Sequence, residues 1–237
     1  MTNATLSVNV QRGSSSPTPV LAKGASLAEQ AYDFIKGEII SLHFAPGSPL
    51  LENQLSKHLG ISRSPMREAL ARLEREGFIE IVPWKGARVR EITRKSATDL
   101  FQLRICLEGM AARLATPRLD RHELEAFLAT MDELAPRVEA GDVPAFYEHE
   151  VVFHDLFTLN CGNDVIQSSI LGIRDHVTRI RNYLSSKSVP GWGHEPLSFM
   201  EHRTVIYALL TGSGEAAEAA VRGHLESVLQ RVVGSAF

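Results

Sequence analysis

Residues 61–78 read ISRSPMREALARLEREGF, and this stretch decides the fold of the first part of the chain. Ser64 is a preferred N-cap residue and Pro65 suits the first helical position, so the pattern predicts a helix that begins here. Three apolar side chains then recur at helical spacing and form one face that packs on a core: Met66, Leu70 and Leu73. The start of the helix carries arginines beside this face.

The segments around this helix predict two helices before it and a β-hairpin after it. A helical pattern runs from Ser26 and is stopped by HFAPGSPL, and a shorter helix, ENQLSKHL, ends at Gly60. After Gly77, FIEIV alternates apolar and polar residues as a strand does, PWKG is a turn, and ARVREI is a second strand. This order is typical of a winged helix-turn-helix.

A winged helix-turn-helix indicates DNA binding, because its second helix enters the major groove with its N-terminal residues at base edges. We therefore predict that Arg63 and Arg67 contact DNA, since arginine binds guanine bidentately or clamps a phosphate. No acid lies at a helical pairing distance before either residue. Ser62, Ser64 and the free N–H groups of the helix start suit phosphate oxygens.

Three further residues are candidates for DNA contact on weaker grounds. Arg72 lies on the same helix, but Glu68 precedes it by four residues, and a surface ion pair explains it equally well. Lys85 and Gly86 lie at the tip of the predicted wing, where a lysine meets phosphate or the minor groove. Trp84 either packs on the wing or touches DNA.

The run LENQLSKHLGISRSPMREALARLEREGFIEIVPWKGARV resembles the DNA-binding domain of the GntR family of bacterial transcription regulators. The resemblance covers residues 26–92 and implies a sequence-specific DNA-binding regulator. Some members of that family carry a DNA-contacting arginine in the helix before the recognition helix, and Asn53 occupies that place here. One contact expected from the family is therefore altered or absent.

Charge and composition divide the chain of 237 residues. Residues 24–94 carry ten Lys or Arg against nine Asp or Glu, whereas residues 95–237 carry thirteen against nineteen, so the acidity belongs to the second part. Residues 1–23, rich in Ser, Thr and Pro, predict a disordered tail. Residues 24–94 are the predicted DNA-binding domain, and residues 95–237 predict an all-helical bundle. The predicted fold is therefore mostly α.

The cysteines and the absence of targeting patterns predict a cytoplasmic protein. No apolar run is long enough to span a membrane, and the N-terminus shows no signal peptide pattern. Cys106 and Cys161 match no metal or redox spacing and are typical of a reducing cytosol. We therefore expect no membrane partner.

Three histidines of the second part lie on apolar helical stripes, where an unpaired polar group is costly. His154 shares a helical face with Glu150, four residues earlier, and His202 and His224 fall on apolar faces of two later helices. Neutral imidazoles and a carboxylate suit a divalent transition metal such as Zn, Ni or Mn, although satisfied core histidines are the alternative. Four other histidines lie off these stripes and are expected at the surface: His43, His58, His122 and His149.

The second part resembles the FCD ligand-binding domain of the FadR-like subgroup of GntR regulators. LFQLRICLEGMAARLA resembles its first helix, and the E-V-V-F-H, E-H and G-H-L runs fall where that domain carries its metal ligands. The resemblance implies Glu150, His154, His202 and His224 as ligands. The family more often has Asp where this chain has Glu150, and the longer glutamate is a departure from the family pattern.

In similar domains the metal supports an organic acid effector, which implies the same role here. Arg104 lies on the apolar stripe of the first helix of the second domain, and its guanidinium can clamp a carboxylate. Glu108, four residues later, offers an internal ion pair as an equally good alternative.

Together these patterns predict a DNA-binding transcription regulator, not an enzyme, whose C-terminal domain binds a divalent metal and a small organic acid. The resemblance implies a repressor that forms a homodimer, and a homodimer reads two half-sites of a double-stranded DNA operator. Three alternatives stay open: a sensor in which the metal ion is itself the signal, an acyl-ligand-responsive regulator without metal, and a metalloenzyme of the helical-bundle type.

Overall fold

The computed structural model describes residues 25–84, 86–187 and 195–236, and most of these residues are helical. The described chain divides into two compact units. The N-terminal unit comprises residues 25–38 and 47–90, and the C-terminal unit comprises residues 39–46 and those from 91 onward. The predicted tail, residues 1–23, lies outside the described residues.

The described part of the N-terminal unit combines helices with a small sheet, as predicted. In chain order its elements are α1 (Leu27–Ile40), β1 (Pro49–Leu50), α2 (Glu52–Leu59), α3 (Arg63–Arg75), β2 (Ile79–Val82) and β3 (Gly86–Val89). β2 and β3 form the antiparallel hairpin of the wing, with Glu80 opposite Arg88. β1 pairs with the other edge of β3, and the sequence pattern does not reveal it because a two-residue strand has no periodicity.

The tight turn between α2 and α3 depends on Gly60. Its φ of 66° lies in the left-handed region, where any side chain is strained, and its N–H donates to the carbonyl of Ser56 to close α2. The turn packs α2 against α3. The buried face of α3 includes the residues that the pattern predicts: Met66, Leu70 and Leu73.

The prediction that Ser64 caps α3 is wrong. The helix begins at Arg63, and Ser62 occupies the N-cap position without a side-chain cap bond. Pro65 is tolerated within the first turn because the N–H groups there have no intrahelical partner to lose. Arg63 is therefore the first residue of the helix and does not precede its cap.

A polar cluster around Glu76 joins α1 to the end of α3. The Tyr32 hydroxyl donates to Glu76 Oε2 at 2.5 Å, Arg72 Nε donates to Oε1 at 3.0 Å, and Lys36 Nζ lies 3.4 Å from Oε2. Burial would raise the pKa of Glu76, but the hydrogen bonds from Tyr32 and Arg72 outweigh it and hold that pKa below its ordinary value. The folded state therefore stabilises the charged carboxylate.

We expect Glu76→Gln to destabilise the protein by about 1–3 kcal/mol at neutral pH, because charge-assisted bonds are lost. Since the pKa of Glu76 is lowered on folding, its contribution is fully present above the unfolded pKa near 4.5 and decreases as the pH falls below it. Urea unfolding at neutral and at acidic pH measures both effects. Glu68→Gln, at an exposed position of the same helix, is the control. A deficit that stays constant into acid would contradict this account.

The C-terminal unit is all-helical within the described residues, as predicted. Its helices are α4 (Arg94–Ala115), α5 (Arg121–Glu139), α6 (Val143–Thr158), α7 (Asp164–Ser186), α8 (Glu195–Leu210) and α9 (Gly214–Ala236), with a 3₁₀ turn at Thr116–Arg118. Side-chain oxygens of Thr93, Asp120 and Asn163 accept backbone N–H bonds at the starts of α4, α5 and α7. Among the described helices, none has the length and apolar character needed to cross a membrane.

α4 is the central helix of this unit and packs against α6, α7 and α9. Its contact with α9 is close: a Cβ added at Gly109 would lie 2.8 Å from Cγ of Arg222. Just before Gly109, the same helix carries the charged side chains Arg104 and Glu108 into the interior, where both are buried. α4 therefore contributes polar groups to a core that is otherwise largely apolar.

Phenylalanines of α6 form the apolar surroundings of the candidate site. Phe146, Phe153 and Phe157 are buried in the main core, as their helical spacing predicts. α8 packs against α5, α6 and α9 and adds buried Phe199 and Ile206 to the same core. Three helices, α6, α8 and α9, therefore meet in one apolar region, and each carries a buried histidine into it.

Candidate functional site

The start of α3 presents the predicted DNA-contacting side chains to solvent. Ser62, Arg63, Ser64 and Arg67 are all exposed. The Ser62 side chain makes no cap bond to the helix, so its hydroxyl is not used there. The free N–H groups of the first turn lie at the same end, and together these groups suit phosphate oxygens and base edges. Their contact with DNA stays a prediction.

Arg67 has an acidic neighbour that local spacing could not reveal. Its Nε lies 3.0 Å from Glu52 on α2, fifteen residues earlier in the chain. The pairing depends on the helix-turn-helix bend, which brings the two helices together. The Arg67 side chain is 68% exposed, and an exposed pair of this kind contributes only about 0–1 kcal/mol. Glu52 therefore orients Arg67 at little cost to its availability for DNA.

Arg72 contacts other side chains of the N-terminal unit. Its Nε bonds Glu76, four residues later, and its guanidinium carbon lies 3.6 Å from the centroid of the Tyr32 ring. Helical spacing offers Arg72 two acids, Glu68 four residues earlier and Glu76 four residues later, and Glu76 is the one that binds it. The structure favours the ion-pair interpretation of Arg72 over direct DNA contact.

The described part of the wing tip exposes Trp84 and Gly86. The Trp84 side chain is fully exposed, so it does not pack on the wing. Its φ of 66° is uncommon for a residue other than glycine, and Gly86 adopts a φ of 85°. Lys85, the predicted wing contact, lies outside the described residues.

α6, α8 and α9 bring three buried histidines together. Each of His154, His202 and His224 offers a ring nitrogen, and these nitrogens lie within 4.8 Å of one another. The ring centroids of His202 and His224 are 4.6 Å apart, and His154 lies 5.7 Å from each of them. Three of the four predicted metal ligands therefore converge from three different helices.

Two of these histidines have a carboxylate at Nδ1. His224 Nδ1 lies 2.9 Å from Glu201 Oε2, and His154 Nδ1 lies 2.6 Å from Glu108 Oε2, although the latter contact is not aligned as a hydrogen bond. The Nε2 atoms of His154 and His202 are buried and have no hydrogen-bond partner within the described chain. A partner at Nδ1 fixes the ring and leaves Nε2 available for a metal.

The prediction that His149 lies at the surface is wrong. It is only 8% exposed, and its Nε2 lies 3.3 Å from Nδ1 of His202. Its ring contacts Phe127 of α5 and Phe199 of α8, neighbours that the sequence of α6 does not reveal. Burial, followed by repulsion from His154, lowers the pKa of His149 to about 4, so it is a neutral partner. His43, His58 and His122 are exposed, as predicted.

Burial also favours the neutral form of two of the converging rings, those of His202 and His224. Desolvation, followed by repulsion from the neighbouring histidines, lowers the pKa of His202 well below its ordinary value. Desolvation lowers the pKa of His224 as well, although its bond to Glu201 opposes the change. Neutral imidazole is the ligand form, and unfilled Nε2 atoms are the donors that a metal requires. The residues present fit a divalent metal such as Zn or Ni, whereas Mn prefers more oxygen ligands.

Glu150 lies outside the group of three. Its Oε2 accepts a hydrogen bond from Arg181 Nη1 at 2.9 Å. Burial would raise the pKa of Glu150, but the charges of Arg181 and then of His154 outweigh it and lower that pKa, so the carboxylate is ionised. Ligation by Glu150 stays a prediction, and it requires a carboxylate oxygen of this side chain to approach the three histidines.

A cavity of about 80 Å³ adjoins His154 and is lined by α4, α6 and α7. Its polar lining consists of arginines, glutamates and threonines: Arg104, Arg174, Arg181, Glu108, Glu150, Thr158 and Thr178. Its apolar lining consists of Val151, Ile170, Ile173 and Val177. A cavity with an apolar wall and a few convergent polar groups is the usual form of a small-molecule site.

Arg104 forms the internal ion pair that its spacing allows. Its Nε bonds Glu108, and both side chains are almost fully buried. Burial would raise the pKa of Glu108, but Arg104 and His154 outweigh it and lower that pKa to about 2. Arg104 lines the cavity even so, and its binding of an effector stays a prediction.

Each cavity arginine faces one carboxylate of the protein. The pairs are Arg104–Glu108, Arg174–Asp155 and Arg181–Glu150. The formal charges of these six groups cancel. The cavity alone therefore has little net attraction for an anion, and an additional positive charge would change that.

Comparison with known families finds a matching family for each of the two parts of the chain. Residues 27–89 match the family described as bacterial regulatory proteins, gntR family, and residues 99–227 match the FCD domain. The chain belongs to the GntR family. It is a DNA-binding transcription regulator that carries an FCD domain, and the resemblance seen in its sequence is confirmed.

Relatives of this GntR-family protein include named repressors. It is 26% identical over 204 residues to the HTH-type transcriptional repressor RspR of Escherichia coli (strain K12), across 86% of this chain and 88% of that protein. It is 30% identical over 206 residues to a protein of Paenarthrobacter nicotinovorans named "Probable D-xylose utilization operon transcriptional repressor", across 86% and 88% of the two chains. The family comprises transcription regulators and not enzymes.

Solved structures show the same fold. E. coli McbR/YncC has a TM-score of 0.67 at 20% identity and covers 88% of this chain and 97% of its own. A GntR transcriptional regulator from Rhodococcus sp. RHA1 has a TM-score of 0.69 at 20% identity, with 90% and 100% covered. At this level of identity the likeness concerns the fold alone.

We expect His202→Ala to reduce zinc in this GntR-family protein from about one ion per chain to near none, because one of three nitrogen donors is removed. Elemental mass spectrometry on protein equilibrated with zinc and then desalted measures this. His122→Ala, at a side chain that is 92% exposed, should keep its metal. Metal-free His202→Ala should still bind DNA. A variant that retains stoichiometric zinc would exclude His202 as a ligand.

Proposed function

We propose that this protein is a repressor whose operator affinity is controlled by a small organic acid, bound at a metal-containing pocket of the C-terminal unit. The observation that carries the proposal is the convergence of three buried histidines beside a cavity lined by arginines. His154, His202 and His224 would hold the metal, with Glu150 as a further ligand. When bound, the metal supplies positive charge and an open coordination position for an oxygen ligand.

The repressor assignment is supported by the relatives. RspR and the Paenarthrobacter nicotinovorans protein are both named repressors, and each is matched along most of its length. We propose that this protein also represses transcription and that it acts in the cytoplasm, where its DNA target lies. We assign it no catalytic role.

We propose that the exposed start of α3 is the surface that recognises DNA. Arg63 and Arg67 would contact base edges or phosphates, with Ser62 and Ser64 on the backbone. The wing residues Lys85 and Gly86 would contact phosphate beside the groove, whereas Arg72 would support the helix through Glu76. A homodimer would place two such helices on half-sites one helical turn or a multiple of it apart.

We expect Arg63→Ala and Arg67→Ala each to weaken operator binding by about 1–3 kcal/mol, the effect of losing one bidentate base contact. Arg75→Ala is the matched control, because Arg75 is exposed on the same helix but lies in its last turn. Fluorescence anisotropy with a duplex selected from a random pool by the wild-type protein measures the difference. Equal affinities for wild type and Arg67→Ala would remove Arg67 from the interface.

The charge balance of the cavity supports a metal as part of the effector site. Three arginines and three carboxylates cancel, so an anionic ligand gains little from the protein alone. A divalent ion about 4 Å from a carboxylate contributes roughly 8 kcal/mol of attraction at an effective dielectric constant of about 20. If Glu150 turns towards the metal, Arg181 also becomes available to the ligand. Metal binding would therefore precede and enable acid binding.

We expect short carboxylic acids to bind zinc-loaded protein at least about tenfold more tightly than chelator-treated protein, and to strengthen zinc binding by the same factor. Calorimetric titration of acetate, lactate, malate and citrate into both forms measures the difference. Operator affinity followed in parallel should change only when metal and acid are both present.

Other outcomes of these titrations separate the alternatives. A change in operator affinity with zinc alone would identify a metal sensor. A response to acyl ligands that survives His202→Ala would identify an acyl-responsive regulator without metal. Equal acid binding with and without zinc would contradict the ordered mechanism.

A further inference from the structure

Trp84 lies at the tip of the wing, where its side chain is fully exposed. Val82 of β2 pairs with Gly86 of β3, so three residues connect the two strands, and Trp84 is the middle one. The Trp84 side chain is 104% exposed, whereas the other exposed large apolar side chains of the described N-terminal unit are between 45% and 49% exposed. A Cβ added at Gly86 would meet no described atom within 4 Å. The tip therefore presents a large apolar ring to any molecule that approaches the wing.

The backbone of Trp84 adopts a conformation that bulky residues rarely take. Its φ of 66° lies in the left-handed region, which glycine and asparagine adopt with less strain. The other described residue that has a positive φ and is not glycine is Leu42, which follows the end of α1 and is half-buried. The left-handed conformation is a common way to end a helix. Trp84 has neither reason, and strained residues of this kind are concentrated at functional sites.

DNA is the partner that this ring fits, because the chain belongs to a family of DNA-binding regulators. The major groove admits a helix, and in the proposed function α3 occupies it. The minor groove, about 6 Å wide, is too narrow for a hairpin but admits a single flat ring edge-on. Apolar side chains that enter minor grooves insert as wedges at base steps. An indole at the tip of a hairpin has the shape that this contact requires.

The hydrogen-bonding capacity of the indole gives the contact a base preference. The indole N–H is a donor and the ring has no acceptor. In the minor groove an A·T pair presents only acceptors, whereas a G·C pair adds the amino donor of guanine. The indole N–H therefore finds a partner at an A·T pair, and at a G·C pair it meets another donor that also obstructs the ring. In the major groove all base pairs offer acceptors, so a donor alone distinguishes little there.

We propose that Trp84 enters the minor groove of the operator and favours an A·T pair over a G·C pair at the position it meets. The inference rests on the DNA-binding part of the proposed function and is independent of the metal and of the organic acid. It assigns to the wing a base preference in addition to its phosphate contacts.

The test uses a base pair that separates the two grooves. In the duplex selected from a random pool by the wild-type protein, each A·T pair is replaced in turn by G·C and by inosine·cytosine. Inosine lacks the amino group of guanine in the minor groove but keeps the major-groove face of guanine. At the position that Trp84 meets, G·C should weaken binding of the full-length protein by roughly 5- to 150-fold, the usual cost of one wrong base pair. Inosine·cytosine should restore it, whereas a position read in the major groove loses affinity with both.

Three variants assign the preference to the ring. Trp84→Ala should bind the selected duplex more weakly than the wild type does and should no longer distinguish it from the G·C duplex. Trp84→Phe keeps an apolar ring without the N–H and should show a smaller preference than the wild type. Ile81→Ala, at an exposed position of the same hairpin, is the control and should retain the preference. A preference that survives in Trp84→Ala belongs to the shape of the duplex and would overturn the proposal.

Fluorescence of Trp84 reports the contact directly. The chain has two tryptophans, so Trp192→Phe leaves Trp84 as the single emitter. Acrylamide should quench Trp84 efficiently in the free protein, because the ring is exposed. The selected duplex should protect it, since a ring in the minor groove is no longer accessible to the quencher. Equal quenching with and without the duplex would overturn the proposal.

The thermal stability of the DNA-free protein excludes a structural role for the ring. Trp84→Gly relieves the strain of the left-handed backbone, so this variant should melt no lower than the wild type while binding the selected duplex more weakly. A lower melting temperature would show that the ring stabilises the wing and would overturn the assignment.

The remaining outcomes distinguish this inference from the proposed function. If G·C and inosine·cytosine weaken binding equally at every position, the wing inference is wrong, and DNA contact by α3 stands as long as Arg67→Ala weakens binding. If Arg67→Ala binds like the wild type and the preference still depends on Trp84, the proposed role of Arg67 fails and the wing contact stands.

Discussion

The buried contact of Glu108 with Arg104 and His154 is the constraint on which the C-terminal core depends. Glu108 is 2% exposed, and removing one member of such a buried pair costs about 3–5 kcal/mol because an unpaired charge remains. Arg104 belongs to the same helix, whereas His154 belongs to α6, so the carboxylate also links two helices. The contact that stabilises the packing of α4 on α6 therefore also orients a candidate metal ligand.

The histidine cluster also depends on partners for its buried polar groups. His224 has Glu201 at Nδ1, and His202 has the neutral ring of His149. The His202 ring also stacks on Phe153, with centroids 3.8 Å apart and planes 13° apart, which limits its rotation. A core that holds imidazoles rigidly and leaves Nε2 atoms unfilled is preorganised for a ligand, because little ordering remains to be done when the ligand binds.

The arginines of the recognition helix divide between structure and recognition. Arg72 is held over the Tyr32 ring and bonded to Glu76, so it supports the packing of α3 on α1. Arg63 and Arg67 lie at the other end, where the helix start is exposed and its N–H groups are free. The same residue type therefore serves two purposes on one helix, according to whether its turn faces a neighbouring helix or solvent.

The sequence by itself determined the order of the helices and of the β-hairpin, the DNA-binding fold and the three histidines, because periodicity and turn residues are local properties of the chain. Only the tertiary structure decided the partners: Glu52 for Arg67, His149 for His202, and Arg181 for Glu150. Each of these contacts joins residues of different helices, and helical spacing says which face a residue lies on but not what packs against that face. His149 was misplaced for this reason, since α5 and α8 cover a face of α6 that its own sequence does not mark as buried.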